Sequence, residues 1–408
     1  MRILMILSDS FFPDDIRVKK EVRTLLNNGH KVSIIALKRR GQFKCENVDG
    51  VTVFRYGCPF QLHLALHRYL VFFHILHITR KMSIDAFHVH DMPCALASCL
   101  AGVVCQKPVV VDLHEDYTDM IMYSARGFKG LKKAKGILLS KILGFEEWVC
   151  LRSARKVIVV VEESIGRLVK MGIPKQKIVV IHNTSDLEEL KKATKDEIKT
   201  EEIIGKFTIS YVGGFSRHRG LDTLLKAMPL ICEKIPNAHL LLVGDGETKD
   251  ELVKLCNNLN IDKNVTFTGW VSFEKAMNYI KMSDVCTIPY HRTRQTNKSF
   301  PHKLGQYMFF GKPILVSDVD SLKRIVHETK CGIVYEASNS RALAEKLVEA
   351  TEQMVLKEMG VNAKITAETE LNWTKTSERL CGLYEELESS RRNLRFTEKS
   401  PEMQDNGH

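Results

Sequence analysis

Short apolar runs alternate with helical patterns along most of the chain, and this alternation limits the possible folds more than any other feature. In the first half the apolar runs lie at 3–7, 31–37, 51–56, 86–91, 108–113, 157–161 and 178–181. The first helical pattern, 17–28, places Val18, Val22 and Leu25 on one face and stops at Gly29. Strands that alternate with helices predict a doubly wound parallel sheet, whose ligand site lies at the carboxyl ends of the strands.

A second series of the same kind begins at Phe207. Its predicted strands are 207–212, 239–243, 265–268, 285–288, 314–316 and 332–335, with helices at 221–235, 247–259, 273–282 and 302–310. The charged segment 181–205 between the two series is interpreted as a linker helix or loop. We therefore predict an α/β fold with two domains, 1–183 and 184–372. A last helix, 373–388, is expected to pack back on the first domain, and the polar tail 389–408 is expected to be disordered.

Composition fits a globular protein with an anionic partner. The 408 residues are enough for two cores, and the net charge of +11 suggests a nucleotide, a phospholipid surface or nucleic acid. The eleven cysteines are scattered singly, which favours reduced thiols in a cytosolic protein over disulfides or a zinc site. The segment 62–78 is interrupted by histidine and arginine, so it falls short of the roughly 18 apolar residues of a membrane span. We expect a cytoplasmic protein that is soluble or peripheral to the inner face of the membrane.

The segment 208–228 has the pattern of a phosphate-binding turn. A buried strand leads into Gly213 and Gly214, then a basic loop, Gly220 and an amphipathic helix. Such a turn presents backbone N–H groups and a helix dipole to a phosphate. An ordinary βα turn with a solvated basic loop explains this segment equally well, and the segment alone leaves both interpretations open.

Seven short motifs follow one another through the chain. They are Gly29-His30-Lys31-Val32, Asp112-Leu113-His114-Glu115, Ile181-His182-Asn183, Tyr211-Val212-Gly213-Gly214 with Arg219-Gly220, Val243-Gly244-Asp245-Gly246, Pro301 to Met308, and Gly311-Lys312-Pro313-Ile314. In this order and spacing they resemble glycosyltransferase family 4, and the resemblance covers about residues 1–388. It implies the GT-B fold, two Rossmann-like domains facing a central cleft, and transfer with retention of the anomeric configuration.

The resemblance also implies the substrates. A nucleotide-sugar donor of the UDP or GDP type is expected on the C-terminal domain, and a saccharide or lipid-linked acceptor on the N-terminal one. No cofactor and no required metal are expected, which agrees with the lack of an obvious cluster of hard oxygen ligands. Cell-envelope polysaccharide or glycolipid synthesis is the expected setting. A sugar-nucleotide epimerase fits the motifs less well, and a nucleic-acid binder is suggested by charge alone.

The resemblance assigns the donor diphosphate to the turn at 213–220. Arg219 matches the basic residue of the family that contacts the diphosphate, within a turn formed by Gly213, Gly214 and Gly220. Arg217 is the best candidate for the second cation, because Phe215 follows Gly214 where the family has an arginine. The alternative for both arginines is a solvated loop.

His114 matches the histidine that faces the donor sugar in the family, and it is the candidate catalytic residue. The alternative is a strand-end histidine bonded to a neighbouring carboxylate. Polar residues follow three predicted strands, at Ser8 and Asp9, His90 and Asp91, and His114 and Glu115. His90, Asp91, Asp15 and Arg17 are candidates for the acceptor side, although capping of the first helix is the favoured role of Asp15.

The main departure from the family concerns two glutamates eight positions apart. Lys298 and Gln306 occupy these positions here, with Lys303 and Leu304 between them on the predicted donor side. An amide can still bond a ribose hydroxyl, whereas an ammonium group cannot accept a hydrogen bond. The departure motivates an alternative function, a degenerate, non-catalytic homologue that acts as a binding or scaffold subunit.

The segment 123–151 combines basic and apolar residues. The basic residues are Arg126, Lys129, Lys132, Lys133, Lys135 and Lys141, and the apolar ones include Leu131, Ile137, Leu138, Ile142, Phe145 and Trp148. This composition suits a helix lying on anionic lipid. A core-facing helix with a solvated basic face is the alternative.

Overall fold

The computed structural model describes residues 1–7, 10–56, 64–114, 118, 121–122, 130–194, 203–352 and 354–397. It divides into two compact units. The first comprises 1–160, 164–181 and 376–408, and the second comprises 161–163 and 182–375. The division after Ile181 lies two residues before the predicted boundary at 183.

The first unit contains an eight-stranded sheet with the strand order β3-β4-β2-β1-β5-β6-β7-β8. The strands are β1 (Arg2–Leu7), β2 (Lys31–Leu37), β3 (Cys45–Val48), β4 (Val51–Tyr56), β5 (Ala86–His90), β6 (Val109–Leu113), β7 (Lys156–Val159) and β8 (Ile178–Val180). All neighbouring strands are parallel except β3, which pairs with β4 in the antiparallel direction. The central strands carry continuous apolar runs because helices cover both faces of a parallel sheet.

The helices of the first unit are α1 (Ile16–Asn27), α2 (Leu64–Met82), α3 (Ala95–Cys105), α4 (Gly130–Ser153) and α5 (Ile165–Lys170). Asp15 caps α1 by accepting from the N–H groups of Arg17 and Val18, as its predicted capping role requires. Residues 123–129 of the predicted lipid-binding segment lie outside the described residues. None of the helices in the described part of the chain combines the length and the apolar content that a membrane span requires.

The second unit contains a parallel six-stranded sheet with the order β11-β10-β9-β12-β13-β14. Its strands are β9 (Phe207–Val212), β10 (Ala238–Val243), β11 (Val265–Gly269), β12 (Val285–Ile288), β13 (Ile314–Ser317) and β14 (Gly332–Tyr335). Its helices are α6 (Leu187–Ala193), α7 (Leu221–Lys234), α8 (Lys249–Asn258), α9 (Phe273–Met282), α10 (His302–Phe309), α11 (Asp320–Thr329), α12 (Ser340–Glu352) and α13 (Leu356–Thr369). Both units are therefore Rossmann-like α/β domains, and the predicted fold class is confirmed.

The last helix, α14 (Trp373–Thr397), is longer than the predicted 373–388. Its apolar face is buried, and from Thr376 onward it belongs to the first unit. The predicted disorder from 389 is wrong for residues 389–397, because polar contacts continue the helix. Arg391 pairs with Asp85 at 2.5 Å, and Arg155 donates to the Ser390 hydroxyl at 3.2 Å. Residues 398–408 lie outside the described residues.

Ten cysteines fall in the part of the chain that the structure describes, and all ten are free thiols. Six of these ten are buried, and Cys105 is partly buried against the apolar core, so the positions of these seven reflect packing.

Candidate functional site

Glycines at the carboxyl end of β9 shape the first candidate site. Gly213 has a φ of +134°, and a Cβ atom there would lie 2.8 Å from the ammonium nitrogen of Lys303. Gly220 has a φ of +67°, and a Cβ atom there would overlap the carbonyl oxygen of Pro289. Both positions therefore require glycine, for backbone conformation and for close approach. The turn that the sequence predicted between β9 and α7 is present.

Lys303 on α10 is the central charge of this site. Its side chain is 8% exposed, and its Nζ lies 3.5 Å from the centroid of the Tyr211 ring and 5.8 Å from that of Tyr290. Within the described ranges this Nζ makes no hydrogen bond. Burial, together with the charge of Arg219, holds the pKa of Lys303 well below its ordinary value. The protein thus buries a lysine side chain whose charged, ammonium form is disfavoured.

Arg219 is the second cation of the site. Its guanidinium carbon lies 4.6 Å from the centroid of the Tyr290 ring, and its Nη1 donates to the Tyr290 hydroxyl. Neighbouring His218 is neutral, because burial and the charges of Arg219 and Lys303 lower its pKa to about 4. We call Tyr211, Arg219, Tyr290 and Lys303 the lysine–tyrosine cluster. It offers two cationic groups on aromatic walls, an arrangement suited to an anion.

The other predicted donor residues are not members of the lysine–tyrosine cluster. Arg217 is 69% exposed on its side chain and pairs with Glu251 on α8 at 2.7 Å. Leu304 is fully buried in the core, so its side chain supports α10. Gln306 lies half-buried one turn after Lys303, and Lys298 lies in a short 3₁₀ turn, 296–298. Their roles toward a donor stay predictions.

Backbone contacts hold the turn at 213–220 in place. The Gly213 N–H donates to the Val243 carbonyl at 2.9 Å, and the Gly214 carbonyl accepts from the Tyr211 hydroxyl at 2.8 Å. The N–H of Val212 donates to the Tyr307 hydroxyl of α10 at 3.0 Å. The helix that carries Lys303 is therefore tied directly to the end of β9.

A second candidate site lies at the carboxyl ends of β5 and β6 in the first unit. His90 and Asp112 are register partners on these neighbouring strands. The Asp112 Oδ2 lies 3.2 Å from His114 Nε2 and 3.5 Å from both His88 Nε2 and His90 Nδ1. Glu21, on the buried face of α1, places its Oε2 3.7 Å from His88 Nε2. We call these five residues the histidine–carboxylate cluster.

The members of the histidine–carboxylate cluster have opposing pKa shifts. Burial and the charge of Asp112 raise the pKa of Glu21 well above its ordinary value. Burial would also raise the pKa of Asp112, but the charge of His114 holds it well below the ordinary value. Burial acts to lower the pKa of His114, but the charge of Asp112 raises it above its ordinary value. The cluster therefore favours an ionised Asp112 beside a protonated Glu21.

The remaining first-unit candidates surround this cluster. Asp91 has a φ of +63°, and its Oδ1 accepts from the His114 N–H at 3.0 Å. Asp15 binds Arg17 at 3.0 Å; burial acts to raise the pKa of Asp15, but this hydrogen bond lowers it to about 2. The carboxylate contacts of His114 match the alternative stated for it from the sequence, and its catalytic role stays a prediction. Ser8, Asp9 and Glu115 lie outside the described residues.

Several cluster residues were missed from the sequence although a signal existed. Glu21 stands three residues after Val18 on the apolar stripe of α1, where a carboxylate is unexpected. His88 alternates with His90 along β5, so both side chains emerge on one face. Tyr290 carries no such signal, because its role depends on the neighbouring turn at Arg219.

Asp318 and Asp320 are spaced two residues apart, as a pair that could share a hard cation. Arg292 forms ion pairs with both carboxylates, at 2.9 Å from Asp318 and 3.3 Å from Asp320. Arg292 therefore compensates one of their two negative charges.

Comparisons with known proteins agree with this architecture. Residues 16–189 match Glycosyltransferase Family 4, and residues 173–365 match Glycosyl transferases group 1. The chain belongs to glycosyltransferase family 4. An uncharacterized glycosyltransferase of Methanocaldococcus jannaschii is 24% identical over 90% of this chain and 93% of its own length. A phosphatidyl-myo-inositol mannosyltransferase of Mycobacterium leprae is 24% identical over 75% of this chain and 74% of its own length.

Solved structures of GT-B glycosyltransferases share the fold of this family 4 member. Anabaena Alr3699/HepE in complex with UDP matches with a TM-score of 0.69 and 16% identity, over 95% of this chain and all of that one. At this identity the likeness concerns the fold. It places the present chain among proteins with two Rossmann-like domains.

The buried charge of Lys303 leads to a stability prediction. We expect Lys303→Met to raise the free energy of unfolding by about 1–3 kcal/mol at neutral pH, because a methionine removes an uncompensated buried ammonium group. The unfolded chain keeps its proton to a higher pH than the folded one, so this gain shrinks as pH rises toward the ordinary lysine pKa. Chemical denaturation at about pH 6 and about pH 9 tests both statements.

Lys323→Met is the matched control for this prediction, because Lys323 is exposed on α11 of the same unit. It should leave stability unchanged at both pH values. Equal stability of Lys303→Met and the unmodified protein would show that Lys303 is compensated in solution.

Proposed function

We propose that the chain is a retaining glycosyltransferase that moves a sugar from a nucleoside-diphosphate donor to a saccharide or lipid-linked acceptor. Cell-envelope polysaccharide or glycolipid synthesis is the setting that we propose. The observation that carries the proposal is the lysine–tyrosine cluster, with two cationic side chains at the carboxyl end of β9. Family membership supports the reaction class, and retention is part of the proposal.

The cluster suits the chemistry of the departing nucleotide. Negative charge grows on the diphosphate as the glycosidic bond breaks, and fixed donors aimed at that charge lower the barrier. Arg219 supplies a permanent cation held against Tyr290. The ammonium form of Lys303 is disfavoured in the free protein, so a bound diphosphate would stabilise it. The ammonium group of Lys303 would then face the diphosphate both in the bound complex and while the glycosidic bond breaks.

The relatives support a nucleotide-sugar donor without selecting the base. Alr3699/HepE was solved with UDP, and the Mycobacterium leprae relative is a mannosyltransferase. We therefore propose a donor of the UDP or GDP type. No separate cofactor enters the proposed reaction.

We assign the acceptor and the donor sugar to groups of the first unit. His114 is the proposed catalytic residue, and its Nδ1 makes no hydrogen bond within the described ranges. A ring nitrogen of this kind can bond a sugar hydroxyl and orient the reacting face. His90, Asp91, Asp15 and Arg17 are the proposed acceptor-side residues.

A specific observation favours a second candidate function. Both carboxylates of the family pair are replaced, by Lys298 and Gln306, so the ribose and sugar lose charged acceptors. A homologue that binds nucleotide or glycan without turnover is the alternative. Binding of nucleotide is compatible with both functions, and turnover separates them.

We also propose that the first unit binds an anionic membrane surface. α3 contacts both α2 and α4, and apolar side chains on these helices are exposed: Phe73, Leu100, Val103, Val104, Leu138, Ile142 and Phe145. Lys132, Lys135 and Lys141 are exposed on α4 among them. Apolar side chains that face outward beside cations suit acidic lipid headgroups. A lipid-linked acceptor would lie at that surface.

Nucleotide binding tests the donor site. We expect Arg219→Ala to weaken binding of UDP or GDP about 10- to 100-fold, because it removes a charged contact with the diphosphate. Isothermal titration with UDP, GDP and ADP measures the affinities. Arg341→Ala, an arginine that is 80% exposed on its side chain in the same unit, should leave them unchanged. Unchanged affinity in Arg219→Ala would remove the assignment.

Vesicle flotation tests the membrane surface. We expect binding to vesicles with acidic lipid at low salt, weakened about tenfold or more in the double variant Leu138→Ser, Phe145→Ser. Val361→Ser with Ile365→Ser, which changes exposed apolar residues of α13 in the second unit, is the control. No binding at low salt would contradict the proposal, and self-association of the unmodified chain without vesicles would assign the surface to a second copy.

A further inference from the structure

We propose that the first unit binds one divalent transition-metal ion, with Zn²⁺ as the best-fitting ion, between Glu21, His90, Asp112 and His114. One ligand atom from each of these residues lies within 4.8 Å of the others. The proposal does not depend on the proposed transfer reaction. The cluster was not predicted from the sequence, because its ligands come from three separate elements and a strand end.

The distances within the cluster match a metal coordination shell. Asp112 Oδ2, His90 Nδ1 and His114 Nε2 form a triangle with sides of 3.2, 3.3 and 3.5 Å. Ligand atoms around tetrahedral zinc, with bonds of about 2.0–2.1 Å, are about 3.3–3.4 Å apart. The three atoms thus form one face of a tetrahedron. A Glu21 oxygen, which lies within 4.8 Å of the ligand atoms of these three residues, is available as the fourth ligand.

Unsatisfied polar atoms provide an independent reason for an ion. The Oε2 of Glu21 and both carboxylate oxygens of Asp112 are buried and accept no hydrogen bond within the described ranges. Glu21 is 4% exposed and Asp112 is fully buried. Carboxylates buried in this way are costly unless a cation or hydrogen-bond donors compensate them. A divalent cation would bind Asp112 and would favour the ionised form of Glu21.

Neighbouring residues hold the ligands in place. His88 Nε2 lies 3.5 Å from Asp112 Oδ2, and its Nδ1 lies 2.8 Å from the Tyr384 hydroxyl of α14. The Asp91 carboxylate accepts from the backbone N–H of His114. Partners behind the ligands are typical of metal sites, because they fix the orientation of each ligand. β5 and β6 are adjacent central strands, so the ligands are attached to rigid backbone.

The ligand set selects the class of ion. Two imidazole nitrogens and two carboxylate oxygens suit Zn²⁺ and similar transition ions, whereas Mg²⁺ and Ca²⁺ prefer oxygen ligands alone. With Nε2 of His114 on the ion, its Nδ1 remains directed away from the metal. The ion would therefore act by fixing α1 and the orientation of His114 on the sheet.

Metal analysis of the full-length chain without an affinity tag tests the proposal. After addition of Zn²⁺ and extensive dialysis we expect about one zinc atom per chain and a dissociation constant below about 1 µM. Zn²⁺ should raise the midpoint of thermal unfolding of the chelator-treated protein, whereas Mg²⁺ should not. Co²⁺ should give the visible absorption of a tetrahedral site.

Conservative variants assign the metal to this cluster. Glu21→Gln and Asp112→Asn should reduce bound zinc at least about fivefold and abolish the thermal shift. His239→Gln is the control, because His239 in the second unit is 3% exposed, as His90 is. Zinc content well below one atom per chain, with no thermal shift and no cobalt spectrum in the unmodified protein, would overturn the proposal and leave a proton-bonded cluster. Zinc that persists in both variants would overturn the ligand assignment, and circular dichroism confirms that the variants are folded.

Discussion

Burial of charge at the carboxyl ends of parallel strands is the constraint on which both candidate sites depend. In the second unit the ammonium group of Lys303 lies against the ring of Tyr211 and makes no hydrogen bond within the described ranges. In the first unit the carboxylate of Asp112 lies among three imidazoles at a similar strand end. The ammonium form of Lys303 is disfavoured in the free protein, whereas Asp112 is kept ionised by the charge of His114. A bound ligand of opposite charge is proposed at each site.

The fold explains why these charges occur where they do. Parallel strands end at the same edge of a sheet, so side chains that are distant in sequence become neighbours. At β9 the glycines allow the turn to approach Lys303, and the hydroxyl of Tyr307 ties α10 to the same strand. The proposed diphosphate site therefore does not require the paired glutamates of the family, which Lys298 and Gln306 replace. Under this proposal the replaced glutamates affect turnover more than nucleotide binding.

Sequence patterns predicted the fold well and the membership of the two side-chain clusters only partly. Except for β3, the predicted strands of both sheets agree with the structure to within two residues, because buried apolar runs and helical periodicity are local signals. The short antiparallel β3 was missed, since its alternation of apolar and polar residues is weak. The extension of α14 past residue 388 was also missed, because Arg391 pairs there with Asp85, which is distant in the sequence. Arg219 and Lys303 were named from motifs, yet their aromatic partner Tyr290 was not. Contacts between elements, such as Glu21 with His88, have no signature in either segment alone.

The central claim is that the chain transfers sugar from a nucleoside diphosphate although both family carboxylates are replaced. The most direct test incubates the protein with isotope-labelled UDP-, GDP- and ADP-sugars, with and without lipid-linked acceptors, and follows free nucleoside diphosphate and labelled product by NMR. We expect release of the diphosphate from at least one donor and a product with the anomeric configuration of that donor. Tight nucleotide binding without release from any donor would contradict the account and identify the chain as a non-catalytic homologue.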